Sequence, residues 1–246
     1  MAEKDHDGVR RTAVVTGAAG GVGSHLVRSL IDQDWQVTAI VRPGTDSSRL
    51  RGLQGAQISE LDLGDSEAVD SWGRDYVDAN RSLGLLVNTA AIAVVGPVAE
   101  STPQQWHDVF STNVIAPAAL TDSLLPGLRE AHGTVVFINS GAGERAVQNH
   151  AIYAASKHAL RGYANTLRIE ESGNGIRVAS VYPGQISTPM LKGIDDRLGV
   201  VYEPGLYINP QTVANTVIWI ADAPADVHIS NVDLRPRQEV SARFNV

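Results

Sequence analysis

Apolar and polar positions alternate along this chain in two rhythms. Short runs of Val, Ile, Leu and Ala give way to longer stretches in which apolar residues recur every three or four positions. The short runs predict strands at 12–16, 36–41, 56–61, 83–88, 133–140, 176–182 and 227–232. The longer stretches predict helices. At 21–33, Val22, Leu26, Leu30 and Ile31 share a side, and at 152–171 Ala155, Ala159, Tyr163 and Leu167 do the same. Asp65 is placed to cap a helix after the third strand. Thr102-Pro103-Gln104-Gln105 reads as a capping box with proline at the first helical position, opening a helix with Trp106, Val109, Phe110 and Val114. Asn209-Pro210 repeats the cap-and-proline signal for a helix reaching about residue 222.

Strand–helix alternation at this spacing implies right-handed crossovers and a parallel sheet covered on both faces. The expected fold class is α/β, a single doubly wound Rossmann-type domain over 1–246 with a mainly seven-stranded parallel sheet. Residues 1–10 are expected to form a loose arm. Residues 185–208 lack clear periodicity and are expected to form a substrate lid.

Composition narrows the function. The chain has 246 residues, 43% hydrophobic and 19% charged, with a formal net charge of −7. That balance argues against a nucleic-acid partner, which demands a basic stripe. Cysteine is absent, which rules out disulfide and thiolate chemistry. The N-terminus has no apolar signal core, and no run approaches the ~20 apolar residues of a membrane span. A cytoplasmic protein without membrane contact is expected. The seven histidines form no ligand-spaced cluster, so no metal is expected. No Gly-x-Ser-x-Gly elbow is present, which disfavours serine hydrolysis.

Thr16-Gly17-Ala18-Ala19-Gly20-Gly21-Val22-Gly23 lies between a predicted strand and a predicted helix. That context suits a dinucleotide-binding turn, in which glycine lets backbone approach pyrophosphate and the helix N-terminus offers free N–H groups. The second strand ends in Ala39-Ile40-Val41-Arg42-Pro43, with no carboxylate to accept from ribose hydroxyls. The Arg42 fork suits a 2′-phosphate, so NADP is favoured with NAD as the alternative. Asp62 and Leu63, after the third strand, are candidates to meet the adenine ring.

Ser140 ends the fifth strand, where ligands gather in parallel sheets. Tyr153 and Lys157 are four apart on a predicted helix and share a face. A tyrosine phenol, with a pKa of ~10, needs help to act near neutrality. A nearby ammonium is expected to lower that value and produce a tuned acid–base pair. Asn113 is a candidate to hold a helix distortion or a water linking Lys157 to solvent. Arg145 is placed to clamp an acid or phosphate but reads more readily as a solvated loop residue. His150 reads as a surface residue at the helix start.

Together these elements resemble the short-chain dehydrogenase/reductase family over about residues 11–235. The family's Thr-Gly-x-x-x-Gly-x-Gly pattern matches Thr16 to Gly23, and its Asn, Ser and Tyr-x-x-x-Lys tetrad matches Asn113, Ser140, Tyr153 and Lys157. Pro183-Gly184 matches the family turn after the sixth strand. The resemblance implies that Ile186 and Thr188 contact the nicotinamide carboxamide and that Lys157 binds ribose hydroxyls. It also implies a homodimer or homotetramer formed through the helices around 103–130 and 152–171. The family's Asn-Asn-Ala-Gly stretch is here Asn88-Thr89-Ala90-Ala91, so Ala91 adds a methyl near the cofactor ribose. The front third, with Val41-Arg42-Pro43-Gly44, also resembles longer members that bind sugar nucleotides.

The implied activity is NADP(H)-dependent interconversion of a small carbonyl compound and its alcohol, with Tyr153 as general acid and base. Two other readings use the same pocket: a redox-sensing regulator without turnover, and an epimerase or dehydratase that recycles its nicotinamide.

Overall fold

Seven short strands hydrogen-bond into one parallel sheet: β1 (Thr12–Thr16), β2 (Gln36–Val41), β3 (Ala56–Glu60), β4 (Leu85–Asn88), β5 (Thr134–Ile138), β6 (Arg177–Pro183) and β7 (Asn231–Leu234). The computed structural model describes residues 11–240, so the expected arm at 1–10 lies outside the described residues. The strand order is β3-β2-β1-β4-β5-β6-β7. The chain winds outward in one direction from β1 to β3, then crosses back to β4 and winds the other way. The expected doubly wound α/β class is therefore what the chain adopts.

The central strands are mainly apolar because both faces are covered. Every residue of β4 and β5 is buried. The edge strand β3, Ala-Gln-Ile-Ser-Glu, is only half covered and mixes polar with apolar residues. The seventh strand differs from expectation by starting at 231 instead of 227. His228 Nε2 accepts a bond from the Val178 N–H at 2.9 Å, and ladder pairing begins only at Ser180 with Asn231.

Among the described residues there are seven α-helices: α1 (Gly21–Ile31), α2 (Ser66–Asn80), α3 (Pro103–Phe110), α4 (Ala116–Glu130), α5 (Ala151–Glu171), α6 (Pro189–Leu198) and α7 (Pro210–Ala221). On one face of the sheet Leu26, Val27 and Leu30 of α1 pack with Val213, Val217 and Ile220 of α7. On the other, Val69 of α2, Leu120 and Leu124 of α4, and Leu160 and Leu167 of α5 meet Val135 and Phe137.

The caps form where the sequence places them. The Asp65 carboxylate accepts from the Glu67 and Ala68 N–H groups at 3.1 and 3.0 Å. Thr102 and Gln105 complete a reciprocal capping box, and Asn209 Oδ1 accepts from Gln211 N–H at 2.9 Å. The helix after Thr102 does not run through as expected. A π-turn at Ser111–Ile115 separates α3 from α4 and shifts the apolar register, leaving Ile115 49% exposed.

Residues 185–208 are more ordered than their lack of periodicity implies. Thr188 caps α6, accepting from Leu191 N–H at 3.3 Å. Leu191, Tyr207 and Val240 form a small separate core with Leu198, Val200, Tyr202 and Leu206 around them. The Tyr207 hydroxyl donates to the buried Asp195 carboxylate at 2.8 Å.

Candidate active site

The carboxyl ends of β1, β4, β5 and β6 point to the same edge of the sheet, and the switch in winding falls between β1 and β4. That crevice is where open parallel sheets bind ligands. Ser140, Tyr153, Pro183, Gly184, Ile186 and Thr188 line one cavity at this edge.

Thr16 ends β1, and its hydroxyl accepts from the N–H groups of Thr89 and Ala90 at 3.1 and 3.2 Å. The Thr89 hydroxyl in turn donates to the Thr16 carbonyl, so the β4 end is tied to the start of the glycine turn. Gly17 adopts φ +61°, and a Cβ there would stand 2.9 Å from Ala90 Cα. Gly20 N–H closes the turn onto the Gly17 carbonyl at 2.9 Å. A Cβ on Gly23 would lie 2.3 Å from that same carbonyl, and one on Gly21 would lie 2.6 Å from Thr188 Cγ2. Ala19 and Val22 flank these positions, half-buried against the first core. Ala91 is outside the left-handed region, so its extra methyl carries no backbone strain.

These residues fit a dinucleotide. The α1 N-terminus has no side-chain cap and no acidic residue in its first turn, which leaves its N–H groups and positive dipole end for an anion. Asn88 Nδ2, at the end of β4, is a buried donor without a partner among the described residues. Arg42 directly follows β2, is exposed, and has neither ion pair nor side-chain hydrogen bond among the described residues. Asp62 is exposed, and its Oδ1 is occupied by the Gly64 N–H at 2.9 Å. Leu63 packs on the second core.

Ser140 follows β5, and its Oγ accepts from Ala142 N–H at 3.1 Å. Its side chain faces the Tyr153 phenol across the same cavity and favours the phenol's charged form. Lys157 is buried, and its Nζ donates to the Ile138 carbonyl at 2.9 Å, 5.7 Å from the centre of the Tyr153 ring. Burial pushes the phenol up, the Ser140 side chain offsets part of this, and Lys157 is not among the causes. Burial also holds Lys157 down, to about 8. Desolvation penalises each charged form separately, and the lysine's hydrogen bond points to the backbone.

Asn113 sits inside the π-turn with its amide fully engaged. Its Oδ1 accepts from Ile92 N–H at 2.9 Å, and its Nδ2 donates to the Ile92 carbonyl at 2.9 Å and to Ser156 Oγ at 3.1 Å. It thus pins the loop after β4 to α5. Sequence reasoning missed Asn139, which accepts from Ser140 N–H at 2.9 Å and donates to the Lys157 carbonyl at 3.2 Å. The signal was a polar side chain closing an otherwise apolar buried strand.

A cavity of about 240 Å³ opens beside Ser140 and Tyr153. Pro183, Gly184, Ile186 and Thr188 form one wall, and Met190, Leu191 and Ile194 of α6 form another. Arg145, Val147 and His150 come from the loop after β5. His150 is buried rather than on the surface: its Nδ1 donates to the Gln148 carbonyl at 2.7 Å and its ring meets Tyr153 edge-on, 6.5 Å between centres. No described helix is long and apolar enough to cross a membrane, and no described cluster of His, Asp or Glu is arranged to hold a metal.

A family model described as short chain dehydrogenase matches residues 11–199. The NADP-dependent 3-hydroxy acid dehydrogenase YdfG of Salmonella typhi is 27% identical over 242 residues, covering 95% of this chain and 98% of that protein. Serine 3-dehydrogenase of Agrobacterium fabrum is 27% identical over 246 residues, covering 96% and 97%. Among solved structures, a metagenomic short-chain oxidoreductase in complex with NADP is 26% identical with a TM-score of 0.77, covering 93% of this chain and 98% of that one.

Proposed function

This chain belongs to the short-chain dehydrogenase family and is an NAD(P)-dependent oxidoreductase acting on a CH–OH group; from that premise we propose that it uses NADP(H) to interconvert a small ketone or aldehyde and its alcohol, with Tyr153 as the proton-transfer group. The observation that carries this reading is the meeting of Ser140, Tyr153 and Lys157 beside one cavity at the carboxyl edge of the sheet.

When bound, the nicotinamide supplies a hydride for reduction or accepts one in oxidation. Ser140 holds the substrate oxygen. Tyr153, kept protonated by its burial, donates its proton to that oxygen during reduction and recovers it in the reverse direction. Lys157 presents a positive charge beside the phenol and holds the ribose hydroxyls. Asn113 acts as a positioning residue by fixing the loop at Ile92. The glycine turn, with Thr16, Gly17, Ala19, Gly21, Val22 and Gly23, cradles the pyrophosphate. Asn88 and Ala90 would hold the ribose, and Asp62 with Leu63 would meet the adenine. Pro183, Gly184, Ile186 and Thr188 would back the nicotinamide.

Arg42 selects the 2′-phosphate, a reading supported by its free guanidinium and by the NADP in the names of similar proteins. Those relatives are named for 3-hydroxy acids and serine, which supports a small polar alcohol as substrate.

The test is a carbonyl and alcohol panel run with NADPH/NADP and NADH/NAD, alongside Tyr153→Phe. We expect NADPH oxidation with at least one carbonyl, and a loss of about 10³-fold in kcat for Tyr153→Phe with NADPH binding retained. Near-native turnover by that variant sinks the role of Tyr153, and a marked NADH preference sinks that of Arg42. Tight NADPH binding without any turnover supports the regulator instead. Product formation with no net change in nicotinamide absorbance supports the epimerase or dehydratase.

A further inference from the structure

The cavity beside Tyr153 is lined by two arginines, Arg145 and Arg235, and by no carboxylate. This runs against the composition, in which 27 acidic residues outnumber 20 basic ones. The two cations differ in what they already hold. Arg235 pairs with Asp233 at 3.1 Å and lies 3.7 Å from Glu144. Its buried Nη1, without a hydrogen-bond partner, presses toward Gly141, where a Cβ would stand 2.5 Å away. Arg235 therefore has its charge answered locally by Asp233 and Glu144.

Arg145 has no ion pair or hydrogen bond of its side chain among the described residues, yet it borders the cavity. It lies five residues after Ser140 on the same loop. His150 commits its Nδ1 to the Gln148 carbonyl at 2.7 Å. Val147, Ile186, Met190 and Leu191 share the lining with Gln148 and Gln185, and the exposed Arg145 stands at its rim.

We propose that the substrate is a small hydroxy or oxo acid whose carboxylate is held by the Arg145 guanidinium while its alcohol or carbonyl oxygen faces Ser140 and Tyr153. The assignment rests on the carbonyl-reducing reading of the same site. A planar carboxylate matches the guanidinium fork with two parallel N–H···O bonds. One unanswered cation balances one carboxylate, whereas a phosphate dianion calls for more. The cavity of about 240 Å³ includes the Pro183, Gly184, Ile186 and Thr188 wall assigned to the nicotinamide, so the space left for substrate is small and keeps acid and reacting oxygen a few bonds apart.

The experiment compares 3-oxobutanoate with its neutral methyl ester, measured as kcat/KM with NADPH. The native chain is expected to favour the acid by about tenfold or more, the usual weight of a charge-assisted hydrogen bond. Arg145→Gln should collapse the ratio to about one, chiefly through KM for the acid, and Arg145→Lys should fall between. Arg74→Gln, which breaks a surface pair with Asp70 on α2, should keep the native ratio. A native preference for the ester, or an undiminished acid preference in Arg145→Gln, overturns the proposal. Binding separates this outcome from failure of the carbonyl-reducing reading. Calorimetry on the NADP-loaded chain compares 3-hydroxybutanoate with its methyl ester and needs no turnover. Tighter acid binding that Arg145→Gln abolishes supports the subsite even if no carbonyl is reduced; equal affinities overturn it.

Discussion

The two walls of the crevice are built from different material. The cofactor side, from Thr16 through the start of α1, is shaped by backbone: a left-handed Gly17, the Gly20-to-Gly17 bond of 2.9 Å, and space beside Gly21 and Gly23 that no side chain can occupy. The proposed substrate side is lined by side chains on two segments, 141–150 and 185–208, the second held by a small core and by the Tyr207–Asp195 bond. A backbone cradle recognises what every dinucleotide shares, its pyrophosphate. Side chains on loops recognise what differs between substrates, and they change without disturbing the sheet.

The sharpest way to break this contrast is Gly23→Ala. Its Cβ would overlap the Gly17 carbonyl, so the turn must move. We expect NADPH affinity to fall more than about a hundredfold and the fold to lose about 1–3 kcal/mol. Calorimetric titration and thermal melting measure the two, and near-native binding shows that the turn is more plastic than its packing implies. Arg42→Gln is a smaller change because it removes one side-chain contact and leaves the cradle intact. NADPH should weaken by about 10–100-fold while NADH changes little; equal losses for both assign Arg42 a structural role.

Smallest in the neutral range is the effect of pH. Lys157 is held at about 8, so its charge is complete below that value and lost as pH rises through it. Tyr153 is pushed up and keeps its proton over the same window. Reduction rates should hold level below about pH 8 and decline above it. A profile flat to pH 10 removes Lys157 charge from the mechanism, and the same decline in Lys157→Arg assigns it to another group.

The strands and caps were largely legible because both depend on local pattern. Buried parallel strands demand continuous apolar runs, and Asp65, Thr102 and Asn209 satisfy the first free N–H groups of their own helices. The misplacements arose where a distant partner intervened. The Ile92 backbone lies 21 residues from Asn113, whose amide binds it from within the π-turn. Residues Val178 and Ser180 decided where β7 begins. Thr188-Pro189 is the same cap-and-proline signal as Thr102-Pro103, and α6 follows it despite a weak apolar period.

The site divides along the same line. Residue types and spacings alone brought out the glycine turn, Ser140, Tyr153, Lys157 and the doubly wound order, since 3.6-residue and two-residue periods and glycine's freedom are properties of the local chain. Only the folded molecule decided that burial pushes Tyr153 up, that His150 is buried, that Asn139 braces Ser140 and Lys157, and that Arg235 is answered by Asp233 while Arg145 has no side-chain partner among the described residues. Desolvation and charge pairing depend on which groups approach from distant parts of the chain, and no local pattern records that.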